Sequence, residues 1–225
     1  MIKKLKKDSL ERYSRQIILK NIGIIGQKKI INSKVLIVGV GGLGCPIADL
    51  LTRSGIGLIG VIDFDKVSLS NIHRQTLYST KDIGKFKVNV IKKKLNLINK
   101  EVKVKIYNKK ADEENLKNIL NKYDVIVDGS DNFKTKFLLN KFSLKFKKKL
   151  IVGAISKFDG HIFSFDFNKK KIPCLKCFYQ TEPSDQFLNC ESEGILGSTA
   201  NIVGGIQANE VLKIILGIGK NLKSN

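Results

Sequence analysis

Several residue types are scarce in this 225-residue chain, and each shortage excludes a class of protein. The chain holds no tryptophan, three prolines and four cysteines. Four cysteines are too few for a disulfide scaffold at this length, and Cys174 and Cys177 have Cys-x-x-Cys spacing. We therefore expect a cytoplasmic protein whose thiols are reduced or metal-bound.

Long apolar runs are also lacking. The longest, over residues 35–48, is rich in glycine and shorter than the ~18 residues that a membrane span requires. The basic N-terminus is followed by no apolar signal core. A composition of 42% hydrophobic and 27% charged residues excludes wholesale disorder. The sequence therefore predicts one globular domain with no membrane partner.

Arginine is rare although the formal net charge is +21. Of 41 basic residues only four are arginine, namely Arg12, Arg15, Arg53 and Arg74. Such a charge could indicate a nucleic-acid or anionic-membrane binder. The excess is lysine, however, and isoleucine and asparagine are plentiful too, which favours the compositional bias of an AT-rich genome. Because lysine does not replace arginine at bidentate anion sites, each arginine is a candidate functional residue.

Short apolar runs alternate with segments of helical period along the first two thirds of the chain. The predicted strands are residues 34–39, 58–63, 102–107, 123–128 and 150–153, and the predicted helices are 44–54, 85–99, 112–121 and 132–146. This alternation predicts an α/β fold with a Rossmann-like, doubly wound, mostly parallel sheet. An aromatic strand at 161–167, a polar loop and a helix near 198–216 predict a C-terminal antiparallel extension.

A glycine-rich turn follows the first predicted strand. Residues 39–44 have the form G-x-G-x-x-G, with Gly39, Gly41, Gly42 and Gly44 opening a predicted helix. This context is typical of a nucleotide-binding turn, in which backbone and helix N-terminus approach phosphates. Asp63 ends the second strand, where an acidic residue reaches a ribose. The turn alone favours a dinucleotide such as NAD.

Three further clusters follow the carboxyl ends of strands, where open α/β sheets bind ligands. They are residues 70–75 with Arg74, residues 84–88 with Lys87, and residues 129–132 with Asp131. A triphosphate requires such groups: arginine and lysine contact phosphate oxygens, and an aspartate holds Mg²⁺. Each is a weak signal alone, because Lys87 could be a solvated helix residue and Asp131 with Asn132 could cap a helix.

Together these motifs resemble the adenylyltransferases that activate sulfur-carrier proteins, the MoeB, ThiF and HesA-type relatives of ubiquitin-activating enzymes. The resemblance runs from about Arg12 to Gly219, and its strongest segments are residues 12–19, 38–45, 63–75 and 129–132. It implies MgATP-dependent adenylation of the C-terminal glycine of a ubiquitin-like carrier, MoaD- or ThiS-like. It also implies a homodimer and a sulfur donor protein, within molybdopterin or thiamine sulfur transfer.

The resemblance also implies roles for individual residues. Gly42 lies against the phosphates, Asp63 holds the ribose, and Ser70, Asn71 and Arg74 line the phosphate site. The remaining implied roles are phosphate contact by Lys87, Mg²⁺ binding by Asp131 with Asn132 beside it, and an arginine finger, Arg15, that reaches the other subunit's ATP. The single domain then divides into an N-terminal helical arm (8–32), a nucleotide-binding core (33–154) and a carrier-binding and dimerisation part (155–219).

The cysteines leave two questions open. Cys174 and Cys177 have the spacing of half a zinc site. The resemblance implies a second Cys-x-x-Cys that the sequence lacks, so either the chain is truncated or the zinc is lost. Cys190 matches a cysteine that some ThiF-like enzymes use covalently and that is dispensable in MoeB-like ones. Cys45 lies on a helix predicted to be buried, where packing is its expected role.

Three alternatives stay open on the sequence alone. The first is an NAD(P)-dependent oxidoreductase, which explains the glycine turn but leaves Arg15, Arg74, Lys87 and Asp131 without a role. The second is a non-catalytic, basic nucleic-acid or carrier-protein scaffold, although nucleic acid is not the expected partner. The third is a family relative that adenylates another substrate, such as tRNA.

Overall fold

The structure, a computed structural model, describes residues 5–169, 172–181, 183 and 194–222. Its centre is a six-stranded sheet in the order β3-β2-β1-β4-β5-β6. The strands are β1 (Lys34–Val38), β2 (Leu58–Asp63), β3 (Lys103–Asn108), β4 (Val125–Asp128), β5 (Lys149–Ser156) and β6 (Asp159–Asp166). The first five run parallel and β6 pairs antiparallel with β5. The predicted doubly wound sheet with its antiparallel extension is confirmed.

Helices cover both faces of the sheet. They are α1 (Lys7–Arg12), α2 (Ser14–Ile17), α3 (Gly23–Asn32), α4 (Gly44–Ser54), α5 (Lys87–Ile98), α6 (Glu113–Ile119), α7 (Phe133–Lys145), α8 (Leu175–Tyr179) and α9 (Gly197–Leu216). The helix predicted over 112–121 is shorter, because the chain tightens into a 3₁₀ turn over Leu120–Lys122. Short α8 was not predicted. No helix in the described ranges is long and apolar enough to cross a membrane.

The core has two apolar layers, one on each face of the sheet. Along β1, Val35 and Ile37 pack into one layer while Leu36 and Val38 pack into the other. A strand buried on both faces lies at the centre of a parallel sheet. The strand order reverses between β1 and β4, so the carboxyl ends of these two strands diverge into a crevice. That crevice is where a ligand site is expected.

The N-terminal arm, α1 to α3, is anchored at the far ends of α4 and α5. Tyr13 is buried against Gly55, whose left-handed backbone (φ +87°) ends α4. The Tyr13 hydroxyl accepts a hydrogen bond of 2.8 Å from Asn99. Gln16 donates to Gln27 at 2.9 Å, and Gln27 is fully buried. Gln27 in turn donates to the Ser54 carbonyl at 3.0 Å, so both Tyr13 and Gln27 join the arm to the core.

Candidate active site

The glycine turn brings the ends of β1 and β4 into contact. Gly39 has a φ of +85°, a left-handed conformation that favours glycine. A Cβ at Gly39 would lie 2.8 Å from the carbonyl oxygen of Gly129, and one at Gly44 would overlap the Gly39 carbonyl. Glycine is required at both positions, because a side chain at Gly39 would overlap the loop after β4 and one at Gly44 would overlap the turn's own backbone. Gly44 supports the turn in this way and does not itself line the cavity described next.

A cavity of about 270 Å³ opens at this crevice. The predicted nucleotide-site residues that line it are Gly39, Gly41, Gly42, Asp63, Arg74, Lys87, Asp131 and Asn132. They come from segments up to about 90 positions apart in the sequence. The structure therefore brings most of the predicted nucleotide site together around one cavity.

Asp63 is an acceptor already organised by the backbone around it. Its Oδ2 accepts the Val40 N–H at 2.9 Å, and its Oδ1 accepts the Asp65 N–H at 2.8 Å. Burial raises the pKa of the Asp63 carboxyl, and the nearby Lys87 ammonium partly offsets that effect. Each oxygen keeps one lone pair, so the group can still accept a ribose hydroxyl.

Lys87 is buried at the start of α5. Its Nζ lies 2.9 Å from Oδ2 of Asp65, and its own backbone N–H donates to the Asp65 carbonyl. This carboxylate is the one acceptor that the described residues give the ammonium, whose other N–H groups remain for a ligand. A buried ammonium with unused donors on a cavity wall is a suitable partner for a phosphate.

Arg74 lies on the cavity wall and is braced by its own loop. Its guanidinium donates to the Ser70 carbonyl and contacts Nε2 of His73, both at 2.8 Å. Ser70 and Asn71 do not line the cavity. Their side chains hold the loop instead: Asn71 accepts the Ser68 N–H at 3.2 Å, and the Ser68 and Ser70 hydroxyls lie 3.0 Å apart.

Asp131 and Asn132 follow β4 at the opposite wall. The side-chain oxygen of Asn132, Oδ1, caps α7 by accepting the Thr135 N–H at 2.9 Å. The side-chain NH₂ of Asn132 donates to Oδ1 of Asp131 at 3.1 Å. The capping role considered for this pair is thus present, and it coexists with their place on the cavity wall. The Asp131 carboxylate is exposed there.

Several lining residues escaped prediction. Gln75 is buried (3% exposed) and its Oε1 has no partner within the described residues. Lys136 also lines the cavity, and it forms an ion pair with Asp128, which is fully buried and does not line the cavity. Gln75 could have been predicted, because it follows Arg74 in the motif over residues 70–75. Lys136 could not, because nothing in the sequence distinguishes it from the many other lysines on helices.

The cavity is also not lined by three further predicted residues, Arg15, Cys174 and Cys177. Arg15 is exposed on α2 and is not part of the cavity wall. Cys174 and Cys177 have their sulfur atoms 3.6 Å apart, near the ~3.8 Å expected of two tetrahedral zinc ligands. No group of three or more metal-binding side chains occurs among the described residues, so these two cysteines supply only part of a zinc site. Cys190 lies outside the described residues.

Comparison with known proteins assigns the chain to a family. Residues 13–225 match the ThiF family. The chain belongs to the ThiF family. It is 40% identical over 220 residues to a sulfur carrier protein adenylyltransferase of Thermus thermophilus, covering 96% of this chain and 81% of that protein. The family resemblance that the motifs indicated is confirmed, and with it the enzyme class, an adenylyltransferase.

Longer relatives share the same region. The adenylyltransferase and sulfurtransferase MOCS3 of Anopheles gambiae is 39% identical over 216 residues, which are 96% of this chain and 48% of MOCS3. The chain thus spans about half of that relative's length. The E. coli MccB structure with ATP superimposes with a TM-score of 0.80 at 27% identity, covering 94% of this chain and 65% of MccB. PaaA superimposes at 0.82 and 25% identity, covering 99% and 80%.

Proposed function

We propose that this protein uses ATP to adenylate the C-terminal glycine of a small ubiquitin-like sulfur-carrier protein, releasing pyrophosphate. The observation that carries the proposal is the cavity itself, where Lys87, Arg74 and Asp131 face a glycine turn. The names of the Thermus and MOCS3 relatives support the substrate class, and the MccB structure with ATP supports the nucleotide. An NAD(P) oxidoreductase would leave these three charged side chains without a role.

The chemistry requires charge neutralisation more than proton transfer. The attacking carboxylate is ionised near neutral pH, so no general base is needed. Negative charge accumulates on the α-phosphate and the leaving pyrophosphate, and preorganised cations stabilise it. Lys87, at the start of α5, and Arg74, in the loop that follows β2, supply those cations. The glycine turn supplies backbone N–H groups, and Asp63 orients the ribose.

The donor set also fits Mg²⁺. Protein-bound Mg²⁺ takes one or two carboxylates, with the remaining ligands coming from nucleotide phosphates and water. The exposed Asp131 carboxylate at the mouth of the cavity is suited to that arrangement, with Asn132 holding one of its oxygens. When bound, the ion would neutralise phosphate charge.

We propose that the protein acts as a homodimer in which Arg15 reaches the partner's nucleotide. Arg15 stands on the anchored arm, is exposed and does not line its own cavity. Large apolar side chains beside it are exposed, namely Ile18, Leu19, Ile24 and Ile25. Clustered exposed apolar residues indicate a protein interface. The core 33–154 would then bind the nucleotide, and 155–219 would contact the carrier and the second subunit.

ATP–pyrophosphate exchange in the presence of a carrier tests the reaction. We expect wild-type exchange to depend on the carrier, and Arg74→Ala and Asp131→Ala to lower its rate by about 10²–10³-fold, because each removes a preorganised charge. Lys141→Ala, at an exposed site on α7, is the matched control and should exchange as wild type does. Exchange at the wild-type rate by either site variant would refute this assignment.

Exchange with different carriers separates the pathways, and nucleotide titration separates the adenylyltransferase from the oxidoreductase alternative. A MoaD-like and a ThiS-like carrier, assayed separately, distinguish molybdopterin from thiamine sulfur transfer, and a sulfur donor protein would consume the acyl-adenylate. Titration with NADH and with MgATP tests the oxidoreductase alternative, since we expect only MgATP to bind.

A further inference from the structure

A buried ion pair lies beneath the loop that follows β4. The side chains of Asp128 and Lys136 are 0% and 1% exposed, and Nζ of Lys136 is 2.9 Å from Oδ2 of Asp128. Removing two charges from water is costly, and apolar residues of similar volume often stabilise a core equally well. A contribution to folding stability is therefore a weak explanation for this buried pair. The other hydrogen bonds of Asp128 and Lys136 indicate a second role.

Lys136 uses every N–H of its ammonium on protein acceptors. Besides Asp128, it donates to the carbonyl oxygens of Ser130 at 2.7 Å and Gly153 at 2.6 Å. An ammonium has three donors, so none remains for a nucleotide. Lys136 thus differs from Lys87, although both line the cavity. Its three bonds join α7, the end of β4, the following loop and β5.

The pair holds Ser130 from both sides. Oδ1 of Asp128 accepts the Ser130 N–H at 2.9 Å and the Ser130 hydroxyl at 2.6 Å, while Lys136 binds the Ser130 carbonyl. Every polar group of Ser130 is therefore bound to one of the two charged side chains. The next residue is Asp131, so the pair fixes the backbone from which that carboxylate extends.

We propose that Lys136, acting through Asp128 and Ser130, is a positioning residue that holds Asp131 in place for adenylyl transfer. The proposal rests on the proposed function, because it assigns Asp131 to the reacting phosphates. If the loop were attached to the sheet only by its ends, the Asp131 carboxylate could move away from the phosphates. Removing a contact that orients a metal-binding carboxylate typically lowers activity by about 10- to 100-fold.

The test replaces the charged pair by a neutral one. In Lys136→Met/Asp128→Asn no buried charge is left unpaired, so we expect a folded protein with a melting temperature close to that of wild type. In carrier-dependent exchange, kcat should fall about 10- to 100-fold while KM for MgATP changes little, because a transition-state contact is affected. Lys136→Arg keeps the charge and the donors and should recover most of that loss.

Hydrogen exchange of the segment 128–133 gives a readout that does not depend on activity. We expect the double variant to exchange there several-fold faster than wild type. Lys141→Met/Glu113→Gln neutralises an exposed pair between α7 and α6 and should change neither measurement. If wild type shows no adenylation with any carrier, the proposed function fails, and hydrogen exchange still decides whether the pair holds the loop.

Two results would overturn the positioning role. One is a double variant with wild-type kcat and wild-type exchange over 128–133. The other is failure of both the double variant and Lys136→Arg to fold while the α7 control folds, which would make the pair a stability element only.

Discussion

At the scale of single residues, burial decides which cysteine can react. Burial raises the pKa of the Cys45 thiol to about 12, and its sulfur faces the Val40 carbonyl. Cys177 is exposed. Partial burial acts to raise the pKa of the Cys174 thiol, but hydrogen bonds to Asn140 and Cys177 hold this pKa below its ordinary value. The thiolate is the reactive form, so these cysteines differ sharply in nucleophilicity.

We predict that iodoacetamide at pH 8 alkylates Cys177 and Cys174 in the native protein but spares Cys45. A neutral thiol enclosed by the core offers neither charge nor access, so Cys45 should react only once guanidinium chloride unfolds the chain. Peptide mass mapping before and after denaturation checks this. Cys174→Ser/Cys177→Ser serves as the control, since it should take up no label at these two sites. Native labelling of Cys45 at a rate similar to that of Cys177 would contradict the prediction.

The lysines show where prediction from sequence ends at this scale. Lys87 was predicted because it opens a helix after a glycine and matches a family motif. Lys136 could not be predicted, because its spacing on α7 does not distinguish it from the exposed Lys141. Among 41 basic residues, the decisive property is the number of acceptors around each Nζ. That number depends on β4 and β5 and is invisible in the local pattern.

At the scale of elements, a buried glutamate ties the end of the chain to α9. Oε2 of Glu210 accepts the Leu222 N–H at 2.9 Å and the Asn221 amide at 3.0 Å, and its other oxygen pairs with Lys213. The Leu222 carbonyl in turn accepts the Ser164 N–H of β6 at 3.0 Å. Burial acts to raise the pKa of Glu210, but these hydrogen bonds and Lys213 together hold it below the ordinary value.

This geometry predicts a pH-dependent stability. A carboxyl whose pKa is lower in the folded state contributes stability at pH values above the unfolded value of ~4.3, and loses it as pH falls through the folded value. We therefore expect Glu210→Gln to unfold at lower urea concentration than wild type at pH 7, with the difference shrinking below about pH 4.

Glu113 provides the matched control for that experiment. Its pKa is also lowered, by Lys141, but the pair is exposed, so Glu113→Gln should change the urea midpoint little at any pH. A constant gap between Glu210→Gln and wild type from pH 7 to pH 3 would show that the carboxylate's charge is not what holds the C-terminal segment.

The sequence predicted elements best where one local pattern determines them. The strand, glycine turn and helix from β1 to α4 form as expected, because Gly39 and Gly44 are required by contacts within this unit and with the adjacent loop. The roles of Ser70 and Asn71 depend instead on which way a loop faces. In the structure their side chains bond within the loop around Ser68, whereas Arg74 and Gln75 of the same cluster line the cavity. Such orientation is set by packing between distant segments and leaves no periodicity to detect.

At the scale of the whole molecule, the charge of +21 and the arginines have different meanings. Most of the positive charge comes from lysines, and for the proposed function they would raise the rate of encounter with an anionic nucleotide. Arg15 is one of several exposed cations on the N-terminal arm, which is anchored to α4 and α5. Because Arg15 does not line its own cavity, we expect it to take part in the proposed reaction only if a second subunit brings another cavity to it.

This arrangement predicts complementation between two inactive variants. Arg15→Ala and Asp131→Ala each disable both sites of a homodimer. In a mixed dimer both defects fall in one site, and the other site receives Arg15 from one subunit and Asp131 from the other. With random mixing, half the dimers are mixed and each has one intact site, so exchange should recover to about a quarter of the wild-type rate.

The recovery is measured after the two variants are briefly dissociated and mixed. The control pair is Arg74→Ala with Asp131→Ala, two residues that line the same cavity. Because Arg74 and Asp131 lie in the same cavity, a mixed dimer of the control pair has one defect in each site and should stay inactive. Equal recovery by both pairs, or none by either, would place Arg15 outside the partner's site.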